Sequence, residues 1–303
     1  MPSDLMERPR PAADTSGPRF GSVRSLSKSG SHRIAYAEWG DPAAEKVAIC
    51  VHGLTRQGRD FDPLALALAQ FGYRVFCPDL PGRGRSDWLA DPADYDLQQY
   101  VLDMTMLLAR SRATQVDWVG TSLGALIGFQ IASMPKSPIR RMVVNDVGPF
   151  LPSKALARLG KYIGAVPKSL PNFHAAEAYF REILAPYGNL GDSEWFHLTT
   201  HSIDRGDDGR YRLLVDPGIG RAFKNVSYYS VSMWRQWDAM RCPTLILRGL
   251  HSDLLTAEIA RDMLRRGPPT KLIEFPECGH APSLLNRRQI GPVVRWLTEA
   301  DPA

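Results

Sequence analysis

Ser122 stands at the centre of Gly120-Thr121-Ser122-Leu123-Gly124, a G-x-S-x-G pentapeptide. An apolar, β-rich run at 116–119 leads into it and a stretch of helical periodicity at 126–134 follows. In that strand–turn–helix setting the spacing exposes a serine hydroxyl, since glycines two residues before and after relieve a crowded backbone. The turn also aims a helix N-terminus at negative charge forming beside the hydroxyl. A turn with a merely capping serine explains one of the glycines but not both. Serine is a weak nucleophile, so this motif calls for a base and for a third group that orients the base.

The chain has seven histidines. His280, in Cys278-Gly279-His280-Ala281-Pro282, is placed after the last strand with small neighbours that let a ring swing over a site. The acid is expected at Asp253, in the loop Arg248-Gly249-Leu250-His251-Ser252-Asp253 after the strand at 244–247. It would hold the imidazole in the right tautomer and offset the imidazolium charge, giving the chain order Ser, Asp, His. Asp146, in Asn145-Asp146-Val147-Gly148-Pro149, could reach the same place in an alternative layout; capping a turn is its simpler role. His251, two residues from Asp253, cannot easily face it. His52-Gly53-Leu54 follows the strand at 47–51, and the amides of Leu54 and Leu123 are the natural donors to an oxyanion, with His52 bracing the loop.

The elements that must position these residues form a rhythm. Short apolar runs at 47–51, 73–77, 116–119, 142–144, 244–247 and 272–275 alternate with helical spacing at 64–71, 97–108, 126–134, 257–264 and 290–297. Buried strands alternating with amphipathic helices predict a parallel sheet covered on both faces. Residues 23–26 and 34–39 predict an edge hairpin turning near Ser29-Gly30. Residues 1–19, rich in proline, are expected to be a disordered tail.

One interval, 149–238, breaks the rhythm and holds half of the chain's aromatic residues. Its helical spacing and turns predict a second small core that caps a pocket at the strands' C-terminal ends. The division is therefore a sheet core of 20–148 and 239–303 with a helical cap of 149–238. Arg56, Trp195, Tyr228 and Trp234 are the candidates for contact with substrate.

Composition excludes several classes. With 303 residues, 44% hydrophobic and 23% charged, the chain can bury a sizeable core. A net charge of +5 without a basic block argues against nucleic-acid binding. The apolar runs are too short to span a membrane. Cys50, Cys77, Cys242 and Cys278 lack paired spacing, so neither a thiolate metal site nor an oxidising compartment is expected. The cytoplasm is the expected location.

With those motifs the sequence resembles the α/β-hydrolase superfamily over roughly residues 20–300. Asp79-Leu80-Pro81-Gly82-Arg83-Gly84-Arg85-Ser86 is similar to the turn that braces the oxyanion loop in capped members. The resemblance implies an eight-stranded, mostly parallel sheet with helices on both faces and a helical cap inserted after strand 6. It implies no cofactor and hydrolysis through an acyl-enzyme; the aromatic-rich insert points to carboxylic esters of small, largely apolar substrates, and no metal is expected. Serine rather than aspartate at position 122 disfavours dehalogenase and epoxide-hydrolase chemistry, and the lipase H-G-G-G is absent. Relatives that hydrolyse carbon–carbon bonds with the same triad carry S-M-G-G where this chain has Ser122-Leu123-Gly124-Ala125. They hold substrate carboxylates with basic residues, for which Arg56 and Arg59 are candidates; pairing with Asp60 and Asp62 is an equally simple role. A non-catalytic small-molecule receptor is the reading from another class, and a complete set of catalytic residues counts against it.

Overall fold

The computed structural model describes residues 17–164, 166–223 and 230–299. The chain opens with the antiparallel hairpin β1 (Arg19–Ser27) and β2 (Gly30–Trp39), then alternates. β3 (Lys46–Val51), α1 (Asp62–Gln70), β4 (Tyr73–Pro78), α2 (Leu97–Ser111), β5 (Val116–Thr121), α3 (Leu123–Ala132) and β6 (Ile139–Asn145) follow in turn. After β6 come β7 (Phe150–Leu151), α4 (Ser153–Gly164), α5 (Phe173–Ile183), α6 (Asp192–Ser202), β8 (Ile203–Arg205), β9 (Tyr211–Leu213), α7 (Gly218–Phe223), β10 (Val231–Ser232) and α8 (Trp234–Ala239). The chain then returns through β11 (Thr244–Gly249), α9 (Ala257–Arg265), β12 (Thr270–Phe275) and α10 (Arg287–Thr298).

The main sheet has eight strands in the order β1-β2-β4-β3-β5-β6-β11-β12. From β4 to β12 neighbouring strands are parallel, while β2 runs antiparallel to both β1 and β4. β3 shows why such strands read as unbroken apolar runs. Val47, Ile49 and Val51 face one core with α2 and α3; Ala48 and Cys50 face the other with α1 and α10. A strand covered on both faces has no polar side to alternate with. Cys50, Cys77, Cys242 and Cys278 are free and buried, packing as small hydrophobes.

The long connection between β6 and β11 is tied at its base, where β7 pairs antiparallel with β10. Its helices do not share one core. Leu156 and Ile163 of α4 and Ile219 of α7 join the main apolar cluster. Ala176 and Phe180 of α5 and Trp195 and Leu198 of α6 form a separate cluster, closed by Leu285. Trp237 of α8 is fully buried against Phe129 of α3, ring centroids 5.4 Å apart, so the end of the expected cap packs as part of the sheet core. The expected tail falls mostly outside the described residues, and Arg19 already belongs to β1. No helix among the described residues is long and apolar enough to cross a membrane.

Candidate active site

Loops at the C-terminal ends of β3, β5, β6 and β12 converge on one point. Ser122 sits between β5 and α3 with φ 51° and ψ −113°, in the strained region a nucleophile turn requires. Sterics show why both glycines of the pentapeptide are needed. A Cβ on Gly124 would lie 2.0 Å from the Val51 carbonyl oxygen, and one on Gly120 2.4 Å from the Ala125 amide nitrogen.

The Ser122 hydroxyl and His280 Nε2 are 3.0 Å apart, and His280 Nδ1 lies 2.8 Å from Asp146 Oδ2. A carboxylate only accepts, which places the imidazole proton on Nδ1; Ser122 O–H then donates to Nε2. Asp146 is wholly buried at the end of β6 and also accepts from the Gly249 amide at 2.8 Å. Its own amide donates to the Leu247 carbonyl, which seats the acid between β6 and β11. Hydroxyl, imidazole and carboxylate in this line can move a proton off the serine as it attacks a carbonyl.

Asp253, the expected acid, lies elsewhere. Its carboxylate is half exposed and accepts two hydrogen bonds, both 2.7 Å, from the Arg158 guanidinium of α4. Two strand ends, those of β6 and β11, lie side by side beneath the histidine loop, and β6 supplies the carboxylate.

Asn145, next to the acid, is the residue that spacing alone overlooked. Its Nδ2 donates to Thr121 Oγ1 at 3.0 Å and to the Pro282 carbonyl at 2.8 Å. Its own carbonyl accepts from the Ser122 amide at 2.9 Å. One side chain thus joins the serine turn to the histidine loop.

The amides expected to hold an oxyanion border the same space. Leu123 is the first residue of α3, where backbone N–H groups lack intrahelical acceptors. Leu54 lines the cavity with Ser122, and a Cβ on the adjoining Gly53 would lie 3.7 Å from Ser122 Cβ. The loop is braced from behind. His52 Nδ1 donates to the Gly53 carbonyl and Nε2 accepts from the Leu80 amide, while Arg83 donates to the Leu54 carbonyl at 2.8 Å. Asp79 accepts from the Gly58 and Arg85 amides, and burial pushes its carboxyl up to about 6.

Burial drives the His52 imidazole from 6.5 down to about 3, so the folded protein holds it neutral. Its contribution to stability is complete above pH 6.5 and is lost as pH falls from there toward 3. Between pH 7 and pH 5 that loss is about 2 kcal/mol. Urea unfolding at the two pH values should show His52→Gln losing less stability across this interval than the parent protein, by about that amount.

Ser122 and His280 open onto a cavity of about 650 Å³. Its walls are chiefly apolar, with Leu126, Leu156, Leu159, Ile219 and Met233 among them, and Arg158 and Arg221 add charge. Arg56 reaches this wall, but its guanidinium donates to Asp60 twice at 2.7 Å and to Ser202 Oγ. Trp195 is buried in the α5–α6 cluster, and Trp234 lies under the Arg266 guanidinium, 4.7 Å from its ring centroid; neither lines the cavity. Trp195 and Trp234 serve packing, and the lining combines aliphatic side chains with Tyr95, Tyr100 and, from the insert, Tyr187. Tyr228 lies outside the described residues.

A profile of the alpha/beta hydrolase family matches residues 48–290. The chain belongs to the alpha/beta hydrolase family. Among curated relatives of this α/β-hydrolase, the 3-hydroxybutyrate-oligomer hydrolase of Cupriavidus necator is 42% identical over 294 residues, spanning 94% of this chain and 100% of the relative. A putative hydrolase from Rickettsia typhi superposes with a TM-score of 0.87 at 29% identity, covering 93% of this chain and all of that one. An alpha/beta hydrolase from Novosphingobium aromaticivorans gives 0.81 at 31% identity, covering 92% and 98%. The eight-stranded sheet and the family resemblance are thus as expected, and this α/β-hydrolase is a hydrolytic enzyme.

Proposed function

We propose that this α/β-hydrolase cleaves carboxylic esters through an acyl-enzyme, and that its substrates are short oligoesters of an aliphatic hydroxy acid. The observation that carries this reading is the hydrogen-bonded line Ser122–His280–Asp146 opening on a chiefly apolar cavity. In the first step Ser122 Oγ bonds to the ester carbonyl carbon and its proton passes to His280 Nε2. The Leu54 and Leu123 amides hold the oxyanion, and losing one such donor costs about 3 kcal/mol of transition-state stabilisation. The ester C–O bond then breaks, and His280 gives its proton to the leaving alcohol. Water enters by the reverse route, with His280 as base, and frees the acid and the serine. Asp146 holds the tautomer and balances the imidazolium throughout.

The 42% identical relative is named for 3-hydroxybutyrate oligomers, chains of methyl-branched units that end in a carboxylate. The aliphatic side chains of the lining, Leu126, Leu156, Leu159 and Ile219 among them, suit such units. Arg221, which lines the cavity and has no ion-pair partner among the described residues, suits the terminal carboxylate. Carbon–carbon hydrolysis has less support, because Arg56 is committed to Asp60 and Ser202.

The test is initial-rate hydrolysis of p-nitrophenyl acetate, butyrate and octanoate beside the 3-hydroxybutyrate dimer and trimer. Turnover of the oligomers and the short aryl esters is expected; a folded protein inert toward all of them overturns the proposal. Arg221→Gln should raise KM for the dimer about three- to tenfold and leave p-nitrophenyl butyrate unchanged, as befits a partly exposed charge pair.

A further inference from the structure

Helix α6 rests on the turn that leads into α1. His197 and His201, four residues apart, lie on one face of α6, their ring centroids 4.6 Å apart. Asp62, the first residue of α1, faces both: its Oδ2 is 3.9 Å from His197 Nε2 and 4.0 Å from His201 Nε2. One donor atom from each of the three falls within 4.8 Å of the others, the one such group of metal-ligating side chains among the described residues.

From this geometry we propose a divalent-cation site, formed by Asp62, His197 and His201, that pins α6 of the insert to α1 of the sheet core. It is independent of the proposed ester hydrolysis. Two imidazoles and one carboxylate are the donor set for zinc and for cobalt or nickel, rather than for calcium or magnesium. Bonds of about 2.0–2.1 Å in a tetrahedral site put neighbouring donors roughly 3.4 Å apart, so the two carboxylate–imidazole separations need to close by roughly half an ångström, and the two imidazoles draw together from within 4.8 Å. Both histidine side chains are about one quarter exposed, which leaves a path for the ion and for water as a fourth ligand.

A cation already rests on the carboxylate. Arg59 holds Asp62 through Nε and Nη2, at distances of 2.6–2.9 Å. The His197 Nε2–H donates to the Arg59 carbonyl at 2.8 Å. The incoming ion therefore displaces the guanidinium and takes the place of the Nε2 proton, which His197 then carries on Nδ1. The Arg59 guanidinium has somewhere to go, since it lies 5.5 Å from the Phe20 ring centroid. Asp60, the other nearby carboxylate, is neutralised by Arg56 and stays out of the site. The scattered cysteines exclude a thiolate site and do not bear on this one.

Arg59 as competitor makes the site separable from adventitious surface binding. Equilibrium dialysis against zinc, and titration with cobalt(II) followed by its visible d–d absorption, should give one ion per chain with the intense bands of a four- or five-coordinate site. His201→Gln should abolish the bands and weaken zinc at least tenfold. Arg59→Ala, which leaves every ligand in place, should tighten zinc at least tenfold and enlarge the rise in melting temperature on adding it. Absence of a stoichiometric ion, binding unchanged in His201→Gln, or affinity not raised in Arg59→Ala would each overturn the proposal.

Discussion

Asp146→Asn should lower kcat for ester hydrolysis by about four orders of magnitude while the protein stays folded. Asp253→Asn should change it less than about tenfold, because that carboxylate pairs with Arg158 at a half-exposed position and touches neither Ser122 nor His280. The asymmetry has a specific origin. Asp146 Oδ1 accepts from the Gly249 amide, which would fix the orientation of an asparagine with its oxygen there and its NH₂ toward His280. An amide N–H in that place demands an acceptor, so the imidazole proton moves from Nδ1 to Nε2. A protonated Nε2 cannot receive the serine proton, although every atom keeps its position. Steady-state rates on p-nitrophenyl butyrate, with circular dichroism to check folding, decide the matter. A loss of four orders in Asp253→Asn and not in Asp146→Asn would make Asp253 the acid instead.

Ser122→Ala carries the largest expected effect, a fall in kcat of about 10⁶. The nucleophile's oxygen is the atom that forms the acyl bond, and a methyl group in its place leaves His280 with no proton to take. His280→Ala should cost about as much, and the double variant little more, because residues that act as one unit lose their effect together. What remains would come from the Leu54 and Leu123 amides and from binding in the cavity. Burst kinetics supply a second readout: the parent protein should release p-nitrophenol ahead of steady state if deacylation is slow, and Ser122→Ala should show no burst. A folded Ser122→Ala protein retaining more than a hundredth of the parent kcat would rule out serine as the nucleophile.

Local chemistry made much of this protein readable from its residues in order. Gly120 and Gly124 mark a strained turn around Ser122; the Ala125 amide that crowds Gly120 lies within the same turn, whereas the Val51 carbonyl that crowds Gly124 comes from the neighbouring strand. The strands of the parallel sheet are legible because burial on both faces leaves unbroken apolar runs, as in β3. His280 stands out by its place after the last strand and its small neighbours. His52 reads as a brace for the same kind of reason, beside a glycine after a strand, and both its ring nitrogens are used that way.

Questions of which distant residue meets which were decided by the tertiary structure. Asp146 and Asp253 each follow a strand, and chain order cannot tell which strand end lies under the imidazole. The adjacency of β6 and β11, and the Gly249 amide donating across it, placed Asp146 there. The aromatic-rich insert read as a cavity lining, yet Trp195 and Trp237 went to separate apolar cores, since large rings stabilise most where they are fully enclosed. Between the two roles open to Arg56, the fold decided for its neighbour Asp60 and the distant Ser202, because a charge buried that deeply must be paired. Asn145, bonded to Thr121 and to Pro282 from two separate loops, has meaning only once the chain is folded, because its partners are 24 and 137 residues away.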